Sequence, residues 1–267
     1  MKKIFCMFLI IFASLSLTAF QYEKEIIISE NIPGVLVVQI NTDKLKNKIK
    51  PYYVEHLVTN REVFDLTKAV LVVNAGFFDP KNEQTVSYVT VNGKVILNPH
   101  NNKSLIENHS LKPHMNKILN RSEFRILSNN DKIKYDIAPH NAPVEAGWAI
   151  KHAIQAGPAL LPEANLEEEF FVLKKDGKII SESASSLKKY PRTIIGIKNN
   201  NIYLIIATTK APITIPDAAA YAKELGLEKA MAFDGGGSTS IDYKDLHVVS
   251  DKDSTARKLK SFLIIEQ

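Results

Sequence analysis

The sequence predicts an α+β domain of hairpin-rich, mixed β-sheets with a few helices, formed by residues 20–267 as one unit. Three observations carry that reading. Apolar residues fall in short β-branched runs bounded by Asn, Gly, Asp and Pro; several pairs of runs flank compact turn signals; and only one segment keeps helical spacing for long.

In chain order, residues 35–40 and 70–73 are near-continuous apolar runs that read as buried strands. Residues 88–91 and 94–97 flank Asn92-Gly93, the strongest two-residue hairpin signal. Residues 170–173 and 178–180 flank a turn with Asp176-Gly177, and residues 193–197 and 203–207 flank the polar turn 198–201. A last strand is expected over 259–265. The clear helix is PDAAAYAKELG, opened by Pro216 and Asp217 and ended by Gly226. Residues 65–69 and 112–119 are weaker helical candidates. Residues 100–120 are polar, irregular and rich in His, which predicts a long surface excursion overhanging a pocket.

The chain has 267 residues, of which 45% are hydrophobic, enough for one sizeable core. Its first residues join Lys2 and Lys3 to an apolar run from Ile4 to Leu17 and then small residues, the pattern of a secretory signal peptide cleaved after Ala19. A retained membrane anchor is the alternative, although the run is short for a span. Removing 1–19 takes away the single cysteine, Cys6, so the secreted or periplasmic domain has no thiol and no disulfide. It also removes two lysines and no acid, lowering the formal charge from +5 to +3. That balance does not argue for a nucleic-acid partner, and contact with membrane is expected only through an uncleaved leader.

Chemistry-bearing residues gather at the ends of predicted strands. In AMAFDGGGSTSI, a buried run breaks at Asp234 into Gly235, Gly236 and Gly237, then Ser238 and Thr239. Consecutive backbone N–H groups there would form an anion-binding nest, with the hydroxyls adding donors; a plain turn between two strands is the alternative. No Gly-Lys-Ser/Thr follows, and a helix precedes the loop, so neither a Walker loop nor a dinucleotide fingerprint fits. LVVNAGFFDP brings Asn74, Gly76, Phe77, Phe78 and Asp79 to a strand end, QAGPALL brings Gly157, and YPRTIIGI brings Arg192 and Thr193. The histidines show no close metal-binding spacing.

NAGFFD, AGPALL, PRTIIGI with its hairpin, a helix, and DGGGST, in that order, resemble the phosphodiester glycosidase family over about residues 30–266, with a family arginine matched by Arg257. The chain departs from the family pattern at Lys258, where proline is frequent, and in ATTKAPI, which lacks an acidic-glycine turn. The resemblance implies a hydrolase that removes a sugar from a glycosyl-1-phosphodiester in an envelope or extracellular glycan, with no cofactor required.

For that reaction Arg192 would hold the phosphate bidentately, and Asp234 and Asp79 would supply carboxylates, Asp234 being the stronger catalytic candidate. Asn74, Gly76, Phe78, Gly157, Thr193 and residues 235–239 would line the substrate. Two other classes stay open: a divalent-metal phosphodiesterase with Asp79 and Asp234 as ligands, and a glycan-binding module without turnover.

Overall fold

The computed structural model describes residues 25–250 and 256–267, so the expected leader 1–19 lies outside the described residues. Among the described residues, three antiparallel sheets and a separate hairpin hold most of the chain. The first sheet runs β1 (Ile26–Ile32), β2 (Val35–Ile40), β14 (Asn201–Ala207), β13 (Arg192–Lys198), β15 (Lys229–Ala232), β10 (Ala159–Leu161). The second runs β17 (Leu246–Val249), β16 (Ser240–Tyr243), β4 (Leu71–Asn74), β18 (Leu259–Ile265), β3 (Ile49–Val58). The third runs β6 (Lys94–Leu97), β5 (Val89–Val91), β9 (Ala149–Gln155), β7 (Ser122–Asn129), β8 (Lys132–Pro139), and β11 (Val172–Lys175) pairs with β12 (Lys178–Glu182) alone.

The architecture is therefore predominantly β, with 45% strand and 15% helix. The expected mixture of strand directions is corrected: every ladder among the described residues is antiparallel, both in the hairpins, such as β13 with β14, and between strands far apart in the chain, such as β4 with β18.

Among the described residues the α-helices are α1 (Asn60–Thr67), α2 (Lys103–Ile106), α3 (Met115–Leu119) and α4 (Ile215–Glu224). Helix α4 begins one residue before the expected Pro216, because Thr214 and Asp217 form a reciprocal capping box. A second box, Thr59 with Glu62, starts α1 five residues before the expected position.

One core lies among the three sheets, where Val38, Val73, Phe124, Ile195, Leu204 and Leu263 meet. The opposite face of the first sheet packs Ile194 and Ile205 against Ile215, Ala218 and Ala222 of α4. Both faces of β13 are thus covered, which is why RTIIGIK is apolar without alternation. On the far side of the second sheet, Val72, Phe262 and Ile264 pack against Val63 of α1. The excursion at 100–120 folds into short helical turns over the loop that follows β10, with Lys117 Nζ donating to Glu167 O at 3.0 Å and His114 stacked on Phe170 at 4.0 Å.

Candidate active site

Strand ends from all three sheets converge on the segment that follows β15. The backbone N–H of Asp234 donates to Ala75 O at 2.8 Å, Phe233 N–H to Thr193 O at 2.8 Å, and Gly157 N–H to Ala232 O at 3.0 Å. Asn74, 1% exposed, is the hub. Its Nδ2 donates to Asp234 O at 2.6 Å, while its Oδ1 accepts from Thr193 Oγ1 at 2.7 Å and Ser240 N–H at 3.1 Å. Asn74 and Thr193 therefore fix the loop from beneath. Both ends of the Asn74 amide are thereby committed to holding the Asp234 segment.

Each of the three glycines is required for a different reason. A Cβ on Gly235 would stand 3.1 Å from Pro191 O and 3.5 Å from Arg192 Nη1. Gly236 has φ +60 with open space around it, and a Cβ on Gly237 would press on the Arg257 guanidinium, 3.0 Å from Nη2. What approaches the bare backbone is thus a pair of arginines, one from each side.

The loop is not an open nest of three donors. Gly236 N–H is taken by Pro191 O at 2.8 Å, and Gly235 N–H serves the Asp234 carboxyl. Gly237 N–H has no partner among the described residues. The Ser238 and Thr239 hydroxyls are fully buried and likewise lack a hydrogen-bond partner among the described residues. Ser238 Oγ lies close enough to the Asp234 carboxyl to stabilise its charge, without the geometry of a full hydrogen bond. One backbone N–H and two buried hydroxyls thus make no full hydrogen bond among the described residues.

Asp234 keeps some solvent contact, yet its carboxyl is closely enclosed, and burial raises its pKa to about 6. Ser238, the charge of Arg257, Gly235 N–H and the charge of Arg192 pull it back down without cancelling the effect. A carboxyl poised near neutrality beside two guanidinium groups is suited to proton transfer or to facing a cationic centre.

The two arginines differ. Arg192 is 4% exposed, and its guanidinium donates to Ile213 O, Ala184 O, Ser185 O and Lys188 O at 2.6–3.2 Å. Four of its five N–H groups are committed, so the bidentate phosphate grip expected of it is corrected to a clamp on the 184–188 loop. One Nη1 hydrogen stays on the side facing Gly235. Arg257 is exposed, lies against Gly237, and sits just ahead of β18.

Asp79 caps its own turn. Its Oδ1 accepts the Lys81 N–H at 2.9 Å, and its backbone closes the same turn through Gln84 and Glu83. Phe78 packs toward Val72 and Phe262, and Phe77 faces Phe171 at 5.9 Å. Gly76 fits under Ser261, which accepts its N–H at 3.1 Å. Gly157 is small because Glu169 occupies the space a Cβ would need. Glu169 itself accepts Ser122 N–H, Ser122 Oγ–H and Ala159 N–H at 2.7–3.0 Å. Arg121 covers Phe171 at 4.0 Å and donates to Glu169 O. Between Gly157, Phe171, Arg192 and Gly235 remains a cavity of ≈ 10 Å³, room for one water and not a sugar. Among the described residues, no group of three or more His, Cys, Asp or Glu side chains is gathered as a metal site.

Arg121 and Glu169 had no sequence signal, because each is recognised only by the backbone it holds. Arg257 was visible as a motif position without a role.

The sequence profile of the phosphodiester glycosidase family matches residues 67–266. Among solved structures, the catalytic domain of zebrafish N-acetylglucosamine-1-phosphodiester alpha-N-acetylglucosaminidase, auto-inhibited by its pro-peptide, superposes with a TM-score of 0.64. It is 13% identical, over 91% of this chain and 81% of that one. A hypothetical protein from Synechocystis gives 0.60 at 14% identity, over 90% and 61%. No curated protein matches significantly. At these identities the solved structures carry the fold, while the profile covers most of the chain and carries the kinship: the protein belongs to the phosphodiester glycosidase family.

Proposed function

We propose that this protein hydrolyses a glycosyl-1-phosphodiester at the sugar C–O bond, releasing the free sugar and a phosphate monoester. The observation that carries the reading is the Asp234 carboxyl, raised to about 6 and set between Arg192 and Arg257 at a loop with three unpartnered donors. Such a substrate needs a cation and N–H groups on its phosphate and a carboxylate near C1, where positive charge develops as the bond breaks.

In this reading Arg257, Gly237 N–H and the Ser238 and Thr239 hydroxyls hold the phosphate. As the C1–O bond breaks, its electron pair leaves on the phosphate oxygen, a weak base that needs little protonation. Asp234 faces C1 and takes a proton from the water whose oxygen becomes bonded there. Arg192 and Asn74 hold the loop in place, and Asp79 shapes a neighbouring turn. Export through the segment 1–19 would bring the enzyme to an envelope or extracellular glycan.

Hydrolysis in ¹⁸O-water, followed by mass spectrometry, tests the reading. The label is expected in the sugar. Label in the phosphate would mean that the P–O bond breaks, and the protein would be a phosphodiesterase instead.

A further inference from the structure

A second group of side chains stands at the same end of the third sheet, outside the machinery just described. Glu123 and Arg125 of β7 are each 1% exposed, and Arg125 Nε donates to Glu123 Oε1 at 2.8 Å. The rest of the guanidinium holds the turn after β8, donating to Pro139 O, His140 O and Ala142 O. The other oxygen of the carboxylate, Oε2, lies 2.7 Å from His140 Nδ1. An ionised carboxylate only accepts, so Nδ1 carries the proton and Nε2 is aimed away from the buried pair. The imidazole lies flat on Tyr88, with centroids 3.9 Å apart and planes 3° from parallel, and His100 approaches the tyrosine at 6.2 Å.

Among the described residues neither the Tyr88 hydroxyl nor His140 Nε2 has a hydrogen-bond partner, yet neither is among the buried unpaired atoms. Both polar tips therefore reach solvent. Burying a carboxylate and a guanidinium is costly, and part of the result here is an imidazole locked in one orientation with its outer nitrogen presented.

The backbone ties this group to the loop. Tyr88 follows Ser87, whose hydroxyl accepts Phe77 N–H at 2.9 Å, and Tyr88 O accepts Gln155 N–H at 2.9 Å, two residues before Gly157. His140 N–H donates to Arg121 O, and Arg121 covers the Phe171 ring that borders Gly235.

We propose that the Tyr88 hydroxyl and His140 Nε2 are a specificity contact of the site, hydrogen-bonding ring hydroxyls of the glycosyl substrate and selecting which sugar is accepted. The inference rests on the glycosyl-phosphodiester reading and adds the residues that choose the sugar. Asp234 supplies what the bond cleavage needs, so the outer nitrogen and the phenol are free for recognition.

The test uses Tyr88→Phe, His140→Asn, which keeps a donor to Glu123 but loses the outer nitrogen, and His140→Gln, which restores an outer hydrogen-bonding group. Each is compared with the native chain on glycosyl phosphodiesters and their single-deoxy analogues. Tyr88→Phe and His140→Asn are expected to raise KM about tenfold with kcat within about threefold, to lose discrimination against one deoxy analogue, and to melt at the native temperature. His140→Gln recovers part of the loss. Unchanged KM and discrimination, or a loss that tracks a lowered melting temperature in every variant, would overturn the proposal. If the native chain cleaves no diester, the function proposed above fails on its own, and saturation-transfer NMR with free hexoses decides this one. Transfer lost in both variants supports it; equal transfer, or none to the native protein, overturns it.

Discussion

Two aspartates look alike in the sequence, each near the end of a buried strand beside glycine or aromatic residues, and the fold treats them oppositely. Asp79 turns its carboxylate onto the Lys81 N–H and closes its own turn. Asp234 is anchored through its backbone, by Ala75 O and the Asn74 amide, while Gly235 N–H and Ser238 steady its carboxyl. The two arginines repeat the contrast, Arg192 with four of its five N–H groups on carbonyls and Arg257 laid against a glycine. A polar side chain is available for chemistry when its neighbours fix its backbone and leave its head group unsaturated.

The sharpest way to break this comparison is to neutralise each acid. Asp234→Asn is expected to lower kcat by roughly 10³-fold or more, and Asp79→Asn to leave it within about threefold. Steady-state kinetics on any cleaved diester checks this, and equal losses would return Asp79 to the chemistry.

The arginines should separate along a different axis. Arg257→Ala is expected to lower kcat/KM by about 100-fold with little change in melting temperature. Arg192→Ala takes the donor from Ala184 O and Lys188 O, while Ile213 O and Ser185 O keep a backbone N–H, and is expected to remove roughly 2–4 kcal/mol of stability, read by denaturant unfolding.

Asp234 also makes a prediction about pH. Its pKa is about 6 in the folded chain, against roughly 3.9 for an unfolded aspartate, so the native state binds the proton more tightly. Its contribution disfavours folding above pH 6, and that penalty fades as pH falls toward 4. Asp234→Asn should therefore melt higher than the native protein at pH 7.5, with the gap closing near pH 4. A gap that grows on acidification would contradict the burial argument.

The smallest expected effect is at Gly237. A Cβ there displaces only an exposed arginine side chain, so Gly237→Ala should slow turnover by about three- to tenfold without unfolding the protein. Gly157→Ala, which meets the buried Glu169 carboxylate at φ +99, should instead reduce stability by about 3 kcal/mol.

Much of this was legible in the sequence where local chemistry decides the structure. The Asn92-Gly93 hairpin and the strand at 259–265 stand as read, and the helix near 216–225 is displaced by one residue. Strand β3 was hidden because Pro51 interrupts it, which is tolerated on the edge of a sheet. Strand β7 was hidden because Glu123 and Arg125 mark a solvated face in sequence, while in the fold they neutralise each other inside. The acceptors of Arg192 are bare carbonyls in residues 184–188 and 213, and no residue identity announces them. Strand ends point to where chemistry gathers, whereas head-group availability is a property of tertiary hydrogen bonding.

The Asn74 amide joins segments 119 and 166 residues away along the chain, bonding Thr193 and Ser240 at once. In such an arrangement the loop is held only when the first and second sheets are docked together. Truncated fragments should therefore be inert, and heat inactivation should track global melting instead of preceding it.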